Sequence, residues 1–304
     1  MKKPRIGIVG LGDIAQKAYL PILSKEENWT LVGAFTPNSK KLKDICSNYR
    51  INAFQNLNNL YQSCDAVFVH SSTSSHFEIV RELLSQGKDV YVDKPLAETV
   101  EQAEILVDLS QKYKRKLMVG FNRRFAPLYI KAKEMCQAVA WIRIEKCRIN
   151  KINPVYFEDS LVDSYIHLID MARWMTDGTI TLGSGTIKVN ECKNLVYAHH
   201  GFRCPDGEQV FTGFHRKAGT GLELLEIVDI NKIVRVKNLH TFETEEEGEL
   251  KISETGSWTN TLKNKGFVDA VHHFIESIQG DTSPVVDGLE ALKSQQLLET
   301  IIKY

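Results

Sequence analysis

The apolar run Arg5 to Val9 leads directly into Gly10-Leu11-Gly12-Asp13-Ile14-Ala15, and Ile14, Ala18 and Ile22 then recur at helical spacing. A strand, a G-x-G-x-x-A turn and a helix in immediate succession constrain the fold more tightly than any other feature of the chain. Two glycines let the backbone turn sharply and approach a pyrophosphate, and a small third residue lets the helix pack close to the strand. The helix N-terminus presents unpaired N–H groups and a partial positive charge to an anion. The position predicts a dinucleotide loop, with Gly10, Gly12, Asp13, Ile14 and Ala15 as cofactor contacts. A glycine turn with a purely structural role is the competing reading.

The first 120 residues continue this alternation. Further strands are expected at Leu31 to Phe35, Ala66 to Val69, Asp89 to Val92 and Leu117 to Gly120, with helices starting near Ser75 and Thr99. Beyond residue 122 a helix follows Pro127, a strand starts at Trp141 to Ile144, and a helix covers Asp163 to Met175. Successive strands are then expected at Ile180–Val189, Leu195–Phe202, Gln209–Phe214, Leu222–Ile230 and Ile233–Val236, with turns at Asp177-Gly178 and Asp206-Gly207. Strands without intervening helices pair antiparallel. Phe267, Val271, Phe274 and Ile278 mark one late helix and Ala291 to Ile302 another. The expected fold class is α/β plus α+β. Residues 1–121 form an N-terminal Rossmann-type doubly wound parallel sheet, and residues 122–304 a domain with an open, mostly antiparallel sheet.

Composition enters as a filter. Lys plus Arg and Asp plus Glu both number 38 in 304 residues, so no net basic excess speaks for nucleic acid or a membrane surface. Six cysteines are scattered without metal-finger spacing, and they read as reduced, packed thiols with no metal centre. Met1-Lys2-Lys3 briefly imitates a signal peptide, but the apolar run behind it is short and broken by Gly7, Gly10 and Gly12. No stretch approaches the roughly 18 apolar residues of a membrane span. A cytoplasmic location is expected.

Two further segments bear on chemistry. The second strand should end at the residue that reads the adenosine ribose, where NAD-specific proteins place a carboxylate. Thr36-Pro37-Asn38-Ser39-Lys40-Lys41 stands there instead. With no carboxylate to repel a 2′-phosphate and Lys40 or Lys41 to attract one, Thr36 and Lys40 are candidate contacts, and NADP is favoured within an NAD(P) assignment. Both lysines could equally be solvated surface charges. Tyr91-Val92-Asp93-Lys94-Pro95 closes a strand at the carboxyl edge, where open α/β sheets bind ligands. A lysine there can polarise a substrate oxygen.

Together these segments resemble the Gfo/Idh/MocA oxidoreductase family, and within it the MviM-like oxidoreductases. The resemblance rests on Gly10-x-Gly12-x-x-Ala15, on Ser71 to His76 leading into a helix, and on Gly87 to Pro95, where the family's E-K-P reads Asp93-Lys94-Pro95. Val119-Gly120-Phe121-Asn122-Arg123-Arg124-Phe125 matches the family's junction between domains. Asp163-Ser164-Tyr165-Ile166-His167-Leu168-Ile169-Asp170 resembles its D-x-G-x-H-x-x-D helix. The resemblance implies hydride transfer between NAD(P) and a secondary alcohol or ketone of a sugar, polyol or related small metabolite. It implies cofactor contacts from Ser71, Ser72, His76, Asp93 and Lys94. Lys94 would polarise the reacting oxygen, His167 would move its proton, and Asp163 would orient His167 or bind a substrate hydroxyl.

Residues 163, 167 and 170 are four and three apart and share a helical face. His167 has the right chemistry for acid–base work near neutral pH. The same face could instead hold a divalent metal or be a satisfied buried network. Asn122, Arg123, Arg124 and Tyr165 are candidate substrate contacts. Tyr165 stands where the family has glycine, and Phe157-Glu158-Asp159-Ser160 replaces its glycine-rich run. These departures keep two other functions open: a tightly held NAD used transiently for elimination or hydrolysis, or a dinucleotide sensor without catalysis. A homo-oligomer, dimer or tetramer, is expected through the C-terminal sheet.

Overall fold

The computed structural model describes residues 3–205 and 207–304. Met1, Lys2 and Asp206 lie outside the described residues, and with them the Met1-Lys2-Lys3 start and the Asp206-Gly207 turn. The chain divides into two compact units. The first comprises Met1–Phe121 with Phe267–Lys293, and the second Asn122–Gly266 with Ser294–Tyr304.

In the first unit, six strands form a parallel sheet: β1 (Arg5–Val9), β2 (Thr30–Phe35), β3 (Asn52–Ala53), β4 (Ala66–Val69), β5 (Asp89–Val92) and β6 (Leu117–Val119). Their order is β3-β2-β1-β4-β5-β6. Both faces are covered, so β4, β5 and β6 are buried at every position and read as continuous apolar runs rather than alternating ones. A π-type turn (Ala15–Tyr19) runs into helix α1 (Leu20–Leu23), and α2 (Ser39–Tyr49), α3 (Leu57–Ser63), α4 (Thr73–Ser85) and α5 (Val100–Lys112) follow. Asn38 caps α2 by accepting from the Lys41 N–H. Neither β3 nor α3 announces itself in the sequence, because both are short.

A single cut after residue 121 does not describe the units. Helix α10 (Phe267–Gly280) belongs to the first unit, where the Phe274 ring meets Phe68 and Tyr91 edge-on. Asp287 bridges to Met118 in the middle of β6, and Val119 donates its N–H to the Val286 carbonyl. The apolar stripe expected on this helix is real, but the surface that it covers is built by β4 and β5, far earlier in the chain.

In the second unit, α6 (Pro127–Met135) precedes β7 (Val139–Cys147). Next come α7 (Phe157–Ser160), a π-type turn (Leu161–Tyr165) and α8 (Ile166–Met175). The run of strands is β8 (Thr181–Val189), β9 (Leu195–Arg203), β10 (Gln209–His215), β11 (Leu222–Asp229), β12 (Lys232–Lys237), β13 (Thr241–Glu246) and β14 (Glu249–Glu254). They order as β14-β13-β12-β11-β7-β10-β9-β8. The pairing is antiparallel except between β7 and β10, which run parallel. Strands β13 and β14 carry so many glutamates that their sequence hides them. Helices α6 and α8 pack on one face of this sheet. Two more helices close the chain's element list, α9 (Thr261–Asn264) and α11 (Gly288–Lys303).

Candidate active site

In the first unit the glycine loop sits where β1 and β4 lie side by side, the point at which strand order reverses and a crevice opens at the carboxyl ends. Gly10 has φ +90°, and a side chain there would come within 2.5 Å of the His70 carbonyl carbon and the Ser71 nitrogen. Only glycine tolerates both the angle and the contact. Gly12 differs: a Cβ there would meet nothing closer than the His70 oxygen at 3.8 Å, leaving its backbone open to approach. Ala15 is fully buried against the sheet. Asp13 is exposed and ion-paired to Lys17 at 2.6 Å, which holds its carboxyl below the usual range. The open backbone at Gly12 and the helix start beyond it fit the pyrophosphate of a dinucleotide. Thr36 is half-buried at the end of β2, and Lys40 and Lys41 are in the exposed first turn of α2.

His76 lies inside the site rather than on its surface. It is 1% exposed, with Nδ1 2.9 Å from the Pro95 carbonyl and Nε2 3.2 Å from the Ser71 carbonyl. Its ring therefore ties the Ser71-Ser72 turn to the Asp93-Lys94-Pro95 loop, whose Lys94-Pro95 bond is cis. Burial pushes its pKa down, and the two carbonyls oppose that. Asp93 accepts from the Lys94 N–H at 2.9 Å, which fixes the backbone that carries the lysine. Close by, Tyr19 and Tyr91 join hydroxyls at 3.0 Å. Gly120 leaves room for them: a Cβ there would lie 3.1 Å from the Tyr19 oxygen and 3.3 Å from those of Asp93 and Tyr91. Neither tyrosine is signalled by sequence, since an aromatic residue in an apolar run reads as core.

The second unit holds His167 and Asp163. The intervening π-type turn widens the spacing assumed for a regular helix, and Ile166 closes it by donating to the Leu161 carbonyl. Asp163 is exposed and accepts from the Ser164 hydroxyl at 3.0 Å, and His167 is half-buried. Asp170 belongs to the core. At 1% exposure it takes both Arg124 nitrogens, at 2.6 and 2.9 Å, and the Ser294 hydroxyl at 2.9 Å.

The four residues offered as substrate contacts have their polar groups committed elsewhere. Arg124 is taken by Asp170, and Arg123 is bidentate on Glu223 at 2.5 and 3.1 Å. Asn122 donates to the Lys265 carbonyl at 2.7 Å. Tyr165 is fully buried, its hydroxyl 2.7 Å from His200 Nδ1 and 2.5 Å from the Thr212 hydroxyl. The Tyr165 ring, a candidate substrate contact by sequence, is the pin that ties the π-type turn to β9 and β10. Among the described residues no group of three or more His, Cys, Asp or Glu side chains is arranged to hold a metal ion. Among them also, no helix is long and apolar enough to cross a membrane.

Comparison with known proteins places both units in one oxidoreductase family. Residues 4–121 match the model of an oxidoreductase family with an NAD-binding Rossmann fold, and residues 127–247 match a YceM-like C-terminal domain. The oxidoreductase-family protein YceM of Salmonella typhimurium is 42% identical over 301 residues, covering 99% of this chain and 98% of its own. A dehydrogenase (MviM) from Clostridium difficile superposes with a TM-score of 0.97 at 45% identity, over 99% of both chains. An inositol 2-dehydrogenase/D-chiro-inositol 3-dehydrogenase of Lactiplantibacillus plantarum is 26% identical over 184 residues, which is 57% of this chain and 52% of that protein.

Proposed function

Because the chain belongs to the Gfo/Idh/MocA family of NAD-binding oxidoreductases, we propose that it moves a hydride to or from the carbinol carbon of a sugar, polyol or related small metabolite. The chain is an NAD(P)-dependent dehydrogenase or reductase. The observation that carries the finer reading is the placement of Lys94 on the same carboxyl edge as the glycine loop, its backbone fixed by Asp93 and by His76 through Pro95.

Bound nicotinamide supplies the hydride acceptor or donor. Lys94 donates to the substrate oxygen, and its charge stabilises the alkoxide that develops there. His167 takes the hydroxyl proton in oxidation and returns it in reduction. Asp163 orients His167. Gly10, Gly12, Asp13, Ile14 and Ala15 cradle the pyrophosphate, with Ser71, Ser72 and Asp93 along the same edge. Thr36 and Lys40 face the adenosine ribose, and the lack of a carboxylate there supports NADP over NAD. Titration with NADPH and NADH, followed by tryptophan quenching and energy transfer to the reduced nicotinamide, tests this directly. Tighter NADPH binding is expected, and binding of neither would remove the redox reading.

The open face of the eight-stranded sheet supports a homo-oligomer. Trp141 and Phe211 are 45% and 44% exposed, and Leu250 and Ile252 are 53% and 58% exposed. The strand register places all four on one face, alternating with Arg143 and Arg235. An apolar patch rimmed by charge on an open sheet marks an association surface. Light scattering of Trp141→Glu should show a smaller particle than the parent protein.

A further inference from the structure

The one parallel strand pair of the second unit brings unlike parts of the sequence to one sheet end. Its register sets Phe214 beside Lys146 and His215 beside Cys147. Arg148 and Arg216 therefore leave the sheet side by side, joined by the Arg148 N–H to the His215 carbonyl at 2.8 Å. On the antiparallel side, Lys146 faces Glu223.

The charges at this end do not balance. Glu223 already receives two bonds from Arg123, and Lys146 Nζ stands 3.5 Å from the oxygen that Arg123 holds at 3.1 Å. Lys146 is 9% exposed. Arg216 is 5% exposed, its Nε donating to the Lys151 carbonyl at 2.5 Å and its guanidinium 5.5 Å from the centre of the Phe214 ring. Neither Arg148 nor Arg216 has an ion-pair partner among the described residues, although the charge of Asp163 bears on Arg216. Glu223 bears on Arg123 and Lys146, and Asp163 on Arg216, so two carboxylates stand against four cations at this end. Burial pushes the Lys146 pKa down to about 8, with Arg123 and Arg148 adding to the effect and Glu223 opposing it. Arg148 is exposed at the mouth of this cluster, whereas Lys146 and Arg216 are buried, and burying like charges is costly unless an anion joins them.

We propose that Lys146, Arg148 and Arg216 form an oxyanion subsite, and that the substrate of this enzyme carries a phosphate or carboxylate group. The proposal rests on the redox reading, since Asp163 of the same cluster belongs to the proposed catalytic face. A guanidinium fork suits either oxyanion, because two parallel N–H bonds match two of its oxygens. The sequence held a signal for Lys146. It follows Ile142 and Ile144 at inward positions of an alternating strand, where a lysine is out of pattern.

The test is calorimetric titration of the full-length protein with inorganic phosphate and, separately, with malonate. Sodium chloride holds the ionic strength constant, and excess NADPH fills the glycine loop. Saturable millimolar binding is expected for at least one anion, weakening about tenfold in Arg148→Ser and in Arg216→Lys. It should also weaken as pH rises through about 8, where Lys146 loses its proton. Preference for phosphate assigns a phosphorylated substrate, and preference for malonate a carboxylate. No saturable binding of either anion overturns the subsite, as does binding that both variants keep. NADPH titration of the same samples separates the two failures. Cofactor binding without anion binding removes only the subsite, whereas absence of cofactor binding in the parent protein removes the redox reading.

Discussion

Replacing Asp170 by asparagine removes one buried charge and keeps the shape of the side chain. The carboxylate accepts from two nitrogens of Arg124, whose side chain is 6% exposed, and from the Ser294 hydroxyl. Stripping one partner from a buried ion pair costs roughly 3–5 kcal/mol, because the other charge stays in a medium that solvates it poorly. Asparagine still offers one oxygen to the guanidinium, so the lower end, about 3 kcal/mol, applies. At about 2–4 °C per kcal/mol for a unit of this size, the melting temperature should fall by roughly 6–12 °C. The assay is a thermal melt followed by near-ultraviolet circular dichroism, run beside the double variant Asp170→Leu with Arg124→Met. Removing both partners should cost less than removing one. If Asp170→Asn melts like the parent but loses turnover with nicotinamide binding intact, the carboxylate acts on substrate, and its assignment to the scaffold is wrong.

Other perturbations reach different links. Gly10→Ala should abolish cofactor binding in titrations, because its new methyl would sit 2.5 Å from the His70–Ser71 backbone. Lys94→Ala and His167→Ala should each cut turnover about 10²- to 10⁴-fold while nicotinamide quenching stays near the parent level, and retention of full activity by both would refute the catalytic pair. Lys40→Ala combined with Lys41→Ala should weaken NADPH about tenfold and leave NADH unchanged in the same titration. Burial pushes the His200 pKa from 6.5 down to about 4, with His199 adding to it. The unfolded chain therefore gains that proton first, so its contribution is complete above pH 6.5 and is lost as pH falls toward 4. It is worth up to about 3 kcal/mol, and denaturant melts of the parent and His200→Gln across that range should diverge by it.

Much of this protein can be read from local pattern alone. Strands β1, β4 and β5 have the bounds expected of them, since a run of four or five apolar residues between turn signals leaves a parallel strand little room to shift. The Gly10–Ala15 loop and Lys94 are equally local, each resting on residues within a few positions of one another. The glutamate-laden β13 and β14 escape such reading, because pairing with β12 and with each other at the outer end of the sheet, rather than composition, makes them strands. In β7, which pairs on both sides, the strand begins at Val139, two residues before the expected Trp141 start, and runs on to Cys147.

What only the tertiary structure decides is which side chains share an environment. Tyr165 reads as a bulk at the site and proves to be tied to His200 and Thr212, residues that follow it by 35 and 47 positions. Arg123 and Arg124 look alike in sequence, yet one pairs with Glu223 on β11 and the other with Asp170 on α8. Helix α10 shows its apolar stripe plainly but not that it covers the first unit's sheet. The charge surplus of Lys146, Arg148 and Arg216 exists only because two strands far apart in the chain run parallel. Backbone conformation follows from neighbours in sequence, where sterics and turn chemistry act over a few residues. The electrostatics of a site depend on neighbours in space, and those are set by the register and order of the strands.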